Sequence, residues 1–358
     1  MSHAFRELLK KVGSGPHTSE NLTRLEAAEA LRAMLLQEAK PAQIGAFLIA
    51  HRIKRPTGEE LAGMLDTYEA LGPKLLPLSR RRRRAAILGS PYDGRSRTAP
   101  ISPLTALILA CCEVPVILHG GERMPTKYGV PLLEVWQGLG VEWGDLSLFQ
   151  VQQVLEATGV GFVYLPQHFP VAHAFVEYRD QIGKRPPIAT MELMWCPYAG
   201  DKHLFAGYVH PPTENMFKTC LELRGMEQFT TVKGLEGSCD LSRDRTAIVG
   251  CYVPEIQDFE RILLHPRDYE LAGADVPFHS TPELIDQMRA VLQAEASELL
   301  KSAIWNGGFY LWRSQVCPDL ESGLAHAERL IVSGQVRDKL VQLATQVESQ
   351  RLNYSAHP

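Results

Sequence analysis

After Pro77 the chain repeats one grammar: a short apolar run, a glycine-bearing loop, a helical stretch, then another short apolar run. Ala85-Ala86-Ile87-Leu88 ends in Gly89-Ser90-Pro91-Tyr92-Asp93-Gly94, and a helical stretch from Pro103 to Cys112 follows. Val114-Pro115-Val116-Ile117-Leu118 then ends in His119-Gly120-Gly121. Further strand candidates are Gly161–Leu165, Phe229–Val232 and Ala247–Cys251, most of them separated by helical runs. Unbroken apolar runs suit strands buried on both faces, and intervening helices supply the crossovers that parallel strands require. The pattern predicts a mostly parallel sheet covered by helices. Pro115 lacks a ladder donor and counts against a central place for its strand.

Residues 1–77 carry no strand signal. Leu25, Ala28, Leu31, Met34 and Leu35 recur at helical spacing. Pro41 suits the first turn of a second helix with Ile44, Phe47 and Leu48 on its apolar face, and Arg52 and Lys54 sit favourably at its end. Thr57 and Glu60 have capping-box spacing ahead of a third helix. Short amphipathic helices need a surface to bury against, either the rest of the chain or a second copy. The expected architecture is α/β: a small N-terminal helical domain, 1–77, and a larger α/β domain with a mostly parallel sheet, 78–358. The chain turns helical again from Pro282, with a further helical region at 320–343 broken near Gly334, and some of these later helices can return to the helical domain.

Composition narrows the function classes. Of 358 residues, 45% are hydrophobic, which excludes wholesale disorder. Lys plus Arg total 37 against 41 Asp plus Glu, so binding to a polyanion would depend on locally clustered cations rather than overall charge. The seven cysteines form no CxxC pair and have no zinc-finger spacing with His, so they read as reduced thiols. The first residues lack the apolar stretch of a secretory signal, and Leu104–Leu118 is interrupted by Glu113 and too short to cross a bilayer. A cytoplasmic protein without a membrane partner is expected.

Ligands of open α/β sheets bind at the carboxyl ends of strands. Two loops have that placement, 89–102 and 119–127. Gly89, Ser90, Asp93, Gly94 and Ser102 are small or polar enough to admit an anion, and Arg95 and Arg97 add bidentate phosphate donors. An ordinary strand-to-helix turn accounts for the same composition.

The order of elements, with Ala46–Lys54, His119-Gly120, Lys127-Tyr128-Gly129 and Arg179-Asp180-Gln181-Ile182-Gly183, resembles glycosyltransferase family 3, to which anthranilate phosphoribosyltransferase belongs. The resemblance covers nearly the whole chain. It implies a helical domain that makes a homodimer contact and an α/β domain that, if enzymatic, uses Mg and phosphoribosyl diphosphate. Several of the family's motifs are altered here. Its diphosphate loop, Gly-Thr-Gly-Gly-Asp-Gly, is similar to Gly89–Gly94, but Pro91 and Tyr92 replace two glycines. Its Asn-Ile-Ser-Thr resembles Pro100-Ile101-Ser102-Pro103, and its Lys-His-Gly-Asn-Arg-Ser resembles Leu118–Arg123, with Gly121 in place of the Asn. Its magnesium-holding Asp-Glu pair is matched by Cys239 and Asp240. A thiol is a poor ligand for magnesium, leaving Glu236 and Asp240 as weak candidates. Arg179 matches the arginine that takes an aromatic acid's carboxylate.

Phosphoribosyl transfer depends on electrostatic stabilisation around the diphosphate, so these departures argue against anthranilate transfer. They also introduce cations. Arg95, Arg97 and Arg123 join Lys127, and Arg80-Arg81-Arg82-Arg83-Arg84 precedes the first strand. In this the chain is similar to a divergent branch of the family that binds nucleic acid in a basic groove. That resemblance implies a phosphate-binding set of Gly89, Ser90, Asp93, Gly94, Arg95, Arg97, Ser102, His119, Gly120, Arg123, Lys127 and Arg179, with single-stranded nucleic acid as partner and Tyr92 either stacking a base or packing the loop. The alternative is transfer from phosphoribosyl diphosphate to another acceptor. The arginine run reads equally as a solvated face.

Overall fold

The computed structural model describes residues 2–15, 17–79 and 83–355. Four helices come first: α1 (Ser2–Gly13), α2 (Arg24–Leu35), α3 (Pro41–Lys54) and α4 (Gly58–Leu71). The capping box expected at Thr57 forms, with Glu60 N–H donating to Thr57 Oγ1 at 3.2 Å and Thr57 N–H to Glu60 at 2.7 Å. Thr23 and Glu26 make a second one on α2. The buried face of α2 is Ala27, Ala30, Leu31, Met34 and Leu35, whereas Leu25, assigned to that face by its spacing, is exposed.

The sheet follows, with strands β1 (Ala85–Leu88), β2 (Val116–Gly120), β3 (Val160–Tyr164), β4 (Lys202–Tyr208), β5 (Phe229–Lys233), β6 (Ala247–Val253) and β7 (Asp258–Leu264). Its order is β3-β2-β1-β4-β5-β6-β7. The first five strands run parallel, and β6 and β7 add antiparallel pairs at one side. Pro115 falls just before β2, where only its carbonyl is used, accepting from Ala86 N–H at 2.8 Å. That is how β2 holds an interior place.

Helix α5 (Ser102–Cys111) is buried from Ser102 to Ala110, as its all-round apolar sequence requires. Around the sheet lie α6 (Leu132–Gly138), α7 (Leu148–Thr158), four short segments α8 (Leu165–His168), α9 (Pro170–His173), α10 (Phe175–Ile182) and α11 (Ile188–Met191), then α12 (Pro211–Leu223). The chain closes with α13 (Thr281–Leu292), α14 (Glu298–Arg313), α15 (Leu320–Val332) and α16 (Gln335–Ser355), the break between the last two falling at Gly334. Helix α10 packs on α3, and α11 and α12 pack on α4. These contacts hold the N-terminal helices beside the carboxyl ends of the strands, with a cleft between. All seven cysteines are free thiols. Among the described residues no helix is long and apolar enough to cross a membrane.

Candidate phosphate-facing site and cleft

The two loops predicted from the sequence, 89–102 and 119–127, meet beyond the ends of β1 and β2, where Lys127 Nζ donates to Gly94 O at 2.8 Å, and the contact continues just past the second loop. Arg95 N–H donates to Val130 O at 3.1 Å and Val130 N–H returns to Arg95 O at 2.7 Å. Gly94, at φ +75°, makes this approach possible, because a Cβ there would lie 2.4 Å from Gly129 O. Tyr92 is buried, and its hydroxyl lies 2.6 Å from His119 Nδ1, so it packs the loop rather than offering a face to a base. Burial pushes the His119 imidazole down to about 3, leaving it neutral. Gly89 is pressed against the Leu193 carbonyl and Gly120 is buried at the end of β2. Ser90 and Asp93 are buried as well.

Most of the expected cations face the chain's own carboxylates. Arg95, 3% exposed, donates to Asp240 Oδ2 at 2.7 Å, to Ser238 Oγ at 2.6 Å and to Glu236 Oε1 at 3.3 Å, and it also reaches Thr98. Asp240 further accepts from Ile101 N–H at 3.0 Å and Ser102 Oγ at 2.9 Å. Glu236 reaches across from the loop after β5. It accepts from the N–H groups of Ser96, Arg97 and Thr98 at 3.2, 3.0 and 3.0 Å, and from Lys127 Nζ at 3.0 Å. Three successive amides converging on one carboxylate form an anion nest. Burial pushes the Glu236 carboxyl up, but Lys127, Arg95 and the Ser96 amide outweigh it and hold the group well below the usual carboxylate range. Arg123 is exposed but paired with Glu134 at 2.6 Å. Arg97 is the most exposed of these loop cations, its side chain 79% exposed, and it too pairs with Glu236 at 3.8 Å.

Arg179 has the same fate. It is buried against Glu192, with Met124 Sδ at 3.2 Å on its other amino group. Burial raises the Glu192 carboxyl, opposed by the Arg179 charge. Glu236 therefore occupies the amides just after the Gly89–Gly94 stretch, and Glu192 occupies Arg179, while Ser90 Oγ and Asp93 Oδ1 within that stretch are buried without a partner among the described residues.

Magnesium does not fit these residues. Each oxygen of Asp240 and Glu236 already accepts hydrogen bonds, and burial raises the Cys239 thiol far above its ordinary range, so it stays protonated. Among the described residues, no group of three or more His, Cys, Asp or Glu is placed to hold a metal ion.

The five-arginine run divides. Arg80, Arg81 and Arg82 lie outside the described residues, while Arg83 and Arg84 stand at the amino end of β1, away from both loops. The unpaired positive charge near the strand carboxyl ends lies elsewhere. A cleft of about 690 Å³ between α3 and the β4–α12 connection is lined by Arg52, Arg55, Arg185 and His210 with Tyr208 and Met216, and among the described residues no carboxylate lines it. Arg52 donates to Arg185 O at 2.7 Å and Arg185 to Ala189 O at 3.2 Å, so backbone carbonyls position both guanidiniums. The sequence signal was present in His51-Arg52-Ile53-Lys54-Arg55 and Lys184-Arg185, but these pieces lie more than a hundred residues apart.

Residues 6–72 match the helical bundle domain of the Glycosyl transferase family, and residues 93–337 match its α/β domain. An anthranilate phosphoribosyltransferase from Acetivibrio thermocellus is 29% identical over 339 residues, 93% of this chain and 95% of that protein. An uncharacterized protein from Aquifex aeolicus is 28% identical over 316 residues, 87% and 93% of the two chains. Among solved structures, anthranilate phosphoribosyltransferase from Thermus thermophilus superposes with a TM-score of 0.78 at 20% identity, covering 97% of this chain and 100% of that one. The enzyme from Saccharomyces cerevisiae in complex with PRPP and Mg gives 0.82 at 16% identity, covering 98% and 99%.

Proposed function

The chain belongs to the glycosyl transferase family whose helical-bundle and α/β domains it carries, and from that premise we propose that it is a single-stranded nucleic-acid-binding member without anthranilate transfer activity. One contrast carries the reading: Glu236 and Glu192 neutralise Arg95, Lys127 and Arg179, while Arg52, Arg55 and Arg185 face an open cleft that no carboxylate lines among the described residues. Spaced guanidiniums engage successive phosphates, and the apolar wall at Tyr208 and Met216 suits the flat faces of bases. Three phosphate contacts on a single strand give a slope of about −2 in log affinity against log salt.

Anisotropy titration of a labelled oligonucleotide over a salt series tests this. Binding that weakens with that slope, and loses about one contact's worth of slope in Arg52→Ala, is expected. Absence of binding at low salt removes the reading. The competing reading is transfer from phosphoribosyl diphosphate to another acceptor, in keeping with the yeast enzyme's complex with PRPP and Mg. It requires calorimetric heat on adding magnesium and that donor, and silence in that experiment is expected.

A further inference from the structure

The opposite end of the sheet holds a second basic cavity that the cleft does not explain. It has a volume of about 690 Å³ and lies at the amino ends of β1, β4 and β5, where α14 ends. Arg83, Arg84, Arg313, Trp312, His203 and Gln228 line it, and Asp201 is its single acidic residue among the described residues. Three guanidiniums against one carboxylate leave two positive charges uncompensated. The negative end of the α14 dipole, worth about half a charge, offsets only part of that.

The three arginines differ in their partners. Arg84 is fixed by Asp201 at 2.8 Å and by Gln228 Oε1 at 2.9 Å, and exposed Arg83 donates to Gln315 O at 3.0 Å. Arg313 makes no hydrogen bond and no ion pair among the described residues. Its guanidinium carbon sits 5.3 Å from the Trp312 ring centroid, and its Nε is buried without an acceptor. A guanidinium left without an acceptor in a polar cavity is a costly arrangement unless an anion completes it. His203 stacks on Phe205 at 4.3 Å and is hydrogen-bonded to Thr230. Burial, reinforced by Arg313 and Arg84, pushes its imidazole down to about 3, so it adds no charge of its own.

We propose that this cavity is a phosphate site for the phosphomonoester group of a nucleotide, with Arg313 as the principal donor and Arg83 and Arg84 beside it. A cavity of this size accommodates a nucleotide, and Arg–phosphate pairing is the recognition that an unpartnered planar guanidinium is built for. The site stands on its own geometry and does not require the cleft to bind nucleic acid. The phosphomonoester can come from a free mononucleotide or from the 5′ end of a strand.

Intrinsic fluorescence provides the assay. Trp136, Trp143, Trp195 and Trp305 are fully buried, so Trp312 is the one tryptophan of the five that a ligand in solution can reach. A nucleoside 5′-monophosphate should quench it saturably, and the matching nucleoside, lacking the phosphate, should not. Arg313→Met should weaken the monophosphate at least tenfold by calorimetry without lowering the melting temperature of the free protein. Arg52→Ala, in the other cleft, should leave the affinity untouched. If Arg313→Met does not fold, exposed Arg83→Ala should still weaken binding several-fold. Comparing 5′-phosphorylated with 5′-hydroxyl oligonucleotides in the Arg52→Ala background separates the two sources. Equal affinity of nucleoside and monophosphate, full affinity in both arginine variants, or no binding at ~5 mM ligand in low salt would overturn the assignment.

Discussion

Replacing Glu236 with alanine is the most informative perturbation of the closed seat. The Glu236 side chain, 3% exposed, receives three backbone amides, Thr98 Oγ1 at 2.9 Å, Lys127 and Arg95. Glu236 sits at φ +54°, and alanine pays the same backbone cost, so the change isolates the carboxylate. Removing one partner of a buried pair costs about 3–5 kcal/mol, and the 25% exposure of Lys127 places the expected loss near the low end, about 3 kcal/mol by urea unfolding. The emptied nest of Ser96, Arg97 and Thr98 amides should then accept inorganic phosphate. At about 100-fold above its dissociation constant, phosphate restores about 2.7 kcal/mol to the variant and nothing to the wild type. A loss under ~1 kcal/mol, or a gain that chloride reproduces at matched ionic strength, refutes the reasoning that this carboxylate occupies an anion seat.

Three further predictions test other parts of the structure. Burial pushes the Glu60 carboxyl up, but His51 at 3.3 Å, Leu22 N–H and Lys54 bring it down to about 2 from an ordinary 4.5. A depressed carboxyl stabilises the fold above its unfolded value, so about 3 kcal/mol present at neutral pH is lost as pH falls from 4.5 toward 2. Glu60→Gln should flatten that limb in denaturation measured across the acid range. Gly94→Ala, which drives a Cβ to 2.4 Å from Gly129 O at φ +75°, should cost at least ~2 kcal/mol and lower the melting temperature. An apolar groove of about 1010 Å³ involving Val12, Ile49, Ala50 and Ile53, the last 70% exposed, predicts pairing of two copies through α1 and α3; Ile53→Glu should reduce the mass in light scattering to that of a monomer.

The sheet was legible where strands are buried on both faces. Ala85–Leu88, Phe229–Val232 and Ala247–Cys251, read as strands from their apolar and β-branched residues, lie within β1, β5 and β6, and Gly161–Leu165 overruns β3 by Leu165, which opens α8. β4 was not read, because it opens on Lys202-His203 and contains Gly207, which suits a close approach to the Ser238 carbonyl rather than strand propensity. β7 was missed for a different reason: as an edge strand it carries Asp258, Glu260 and Arg261, the last paired with Glu214 of α12 at 2.6 Å, and such charges hide the pattern. The two loops at the strand ends were legible from their glycines. Their electrostatics were not, since Glu236 lies about 140 residues from the amides it accepts from. Composition counts charges without saying which ones face each other, and a loop arginine in the sequence reads the same whether Asp240 neutralises it or solvent surrounds it.

That pairing bears on the two proposed functional readings through its energetics. A magnesium–diphosphate ligand that took the Arg97 and Thr98 amides and Arg95 would have to displace Glu236 and separate Arg95 from Asp240. Two broken buried pairs, at about 3–5 kcal/mol each, consume the roughly 8 kcal/mol that a micromolar ligand provides. Such a ligand is left with almost no net affinity unless it rebuilds equivalent contacts. A polyanion taking the proposed cleft would separate Arg52 and Arg185 only from backbone carbonyls, whose loss leaves no buried carboxylate behind. Under the proposed function the internal pairs disfavour the small tight ligand and leave the extended charged one unopposed, and Glu236→Ala, which removes one of the two pairs, should lower the first barrier while leaving oligonucleotide binding at the cleft unchanged.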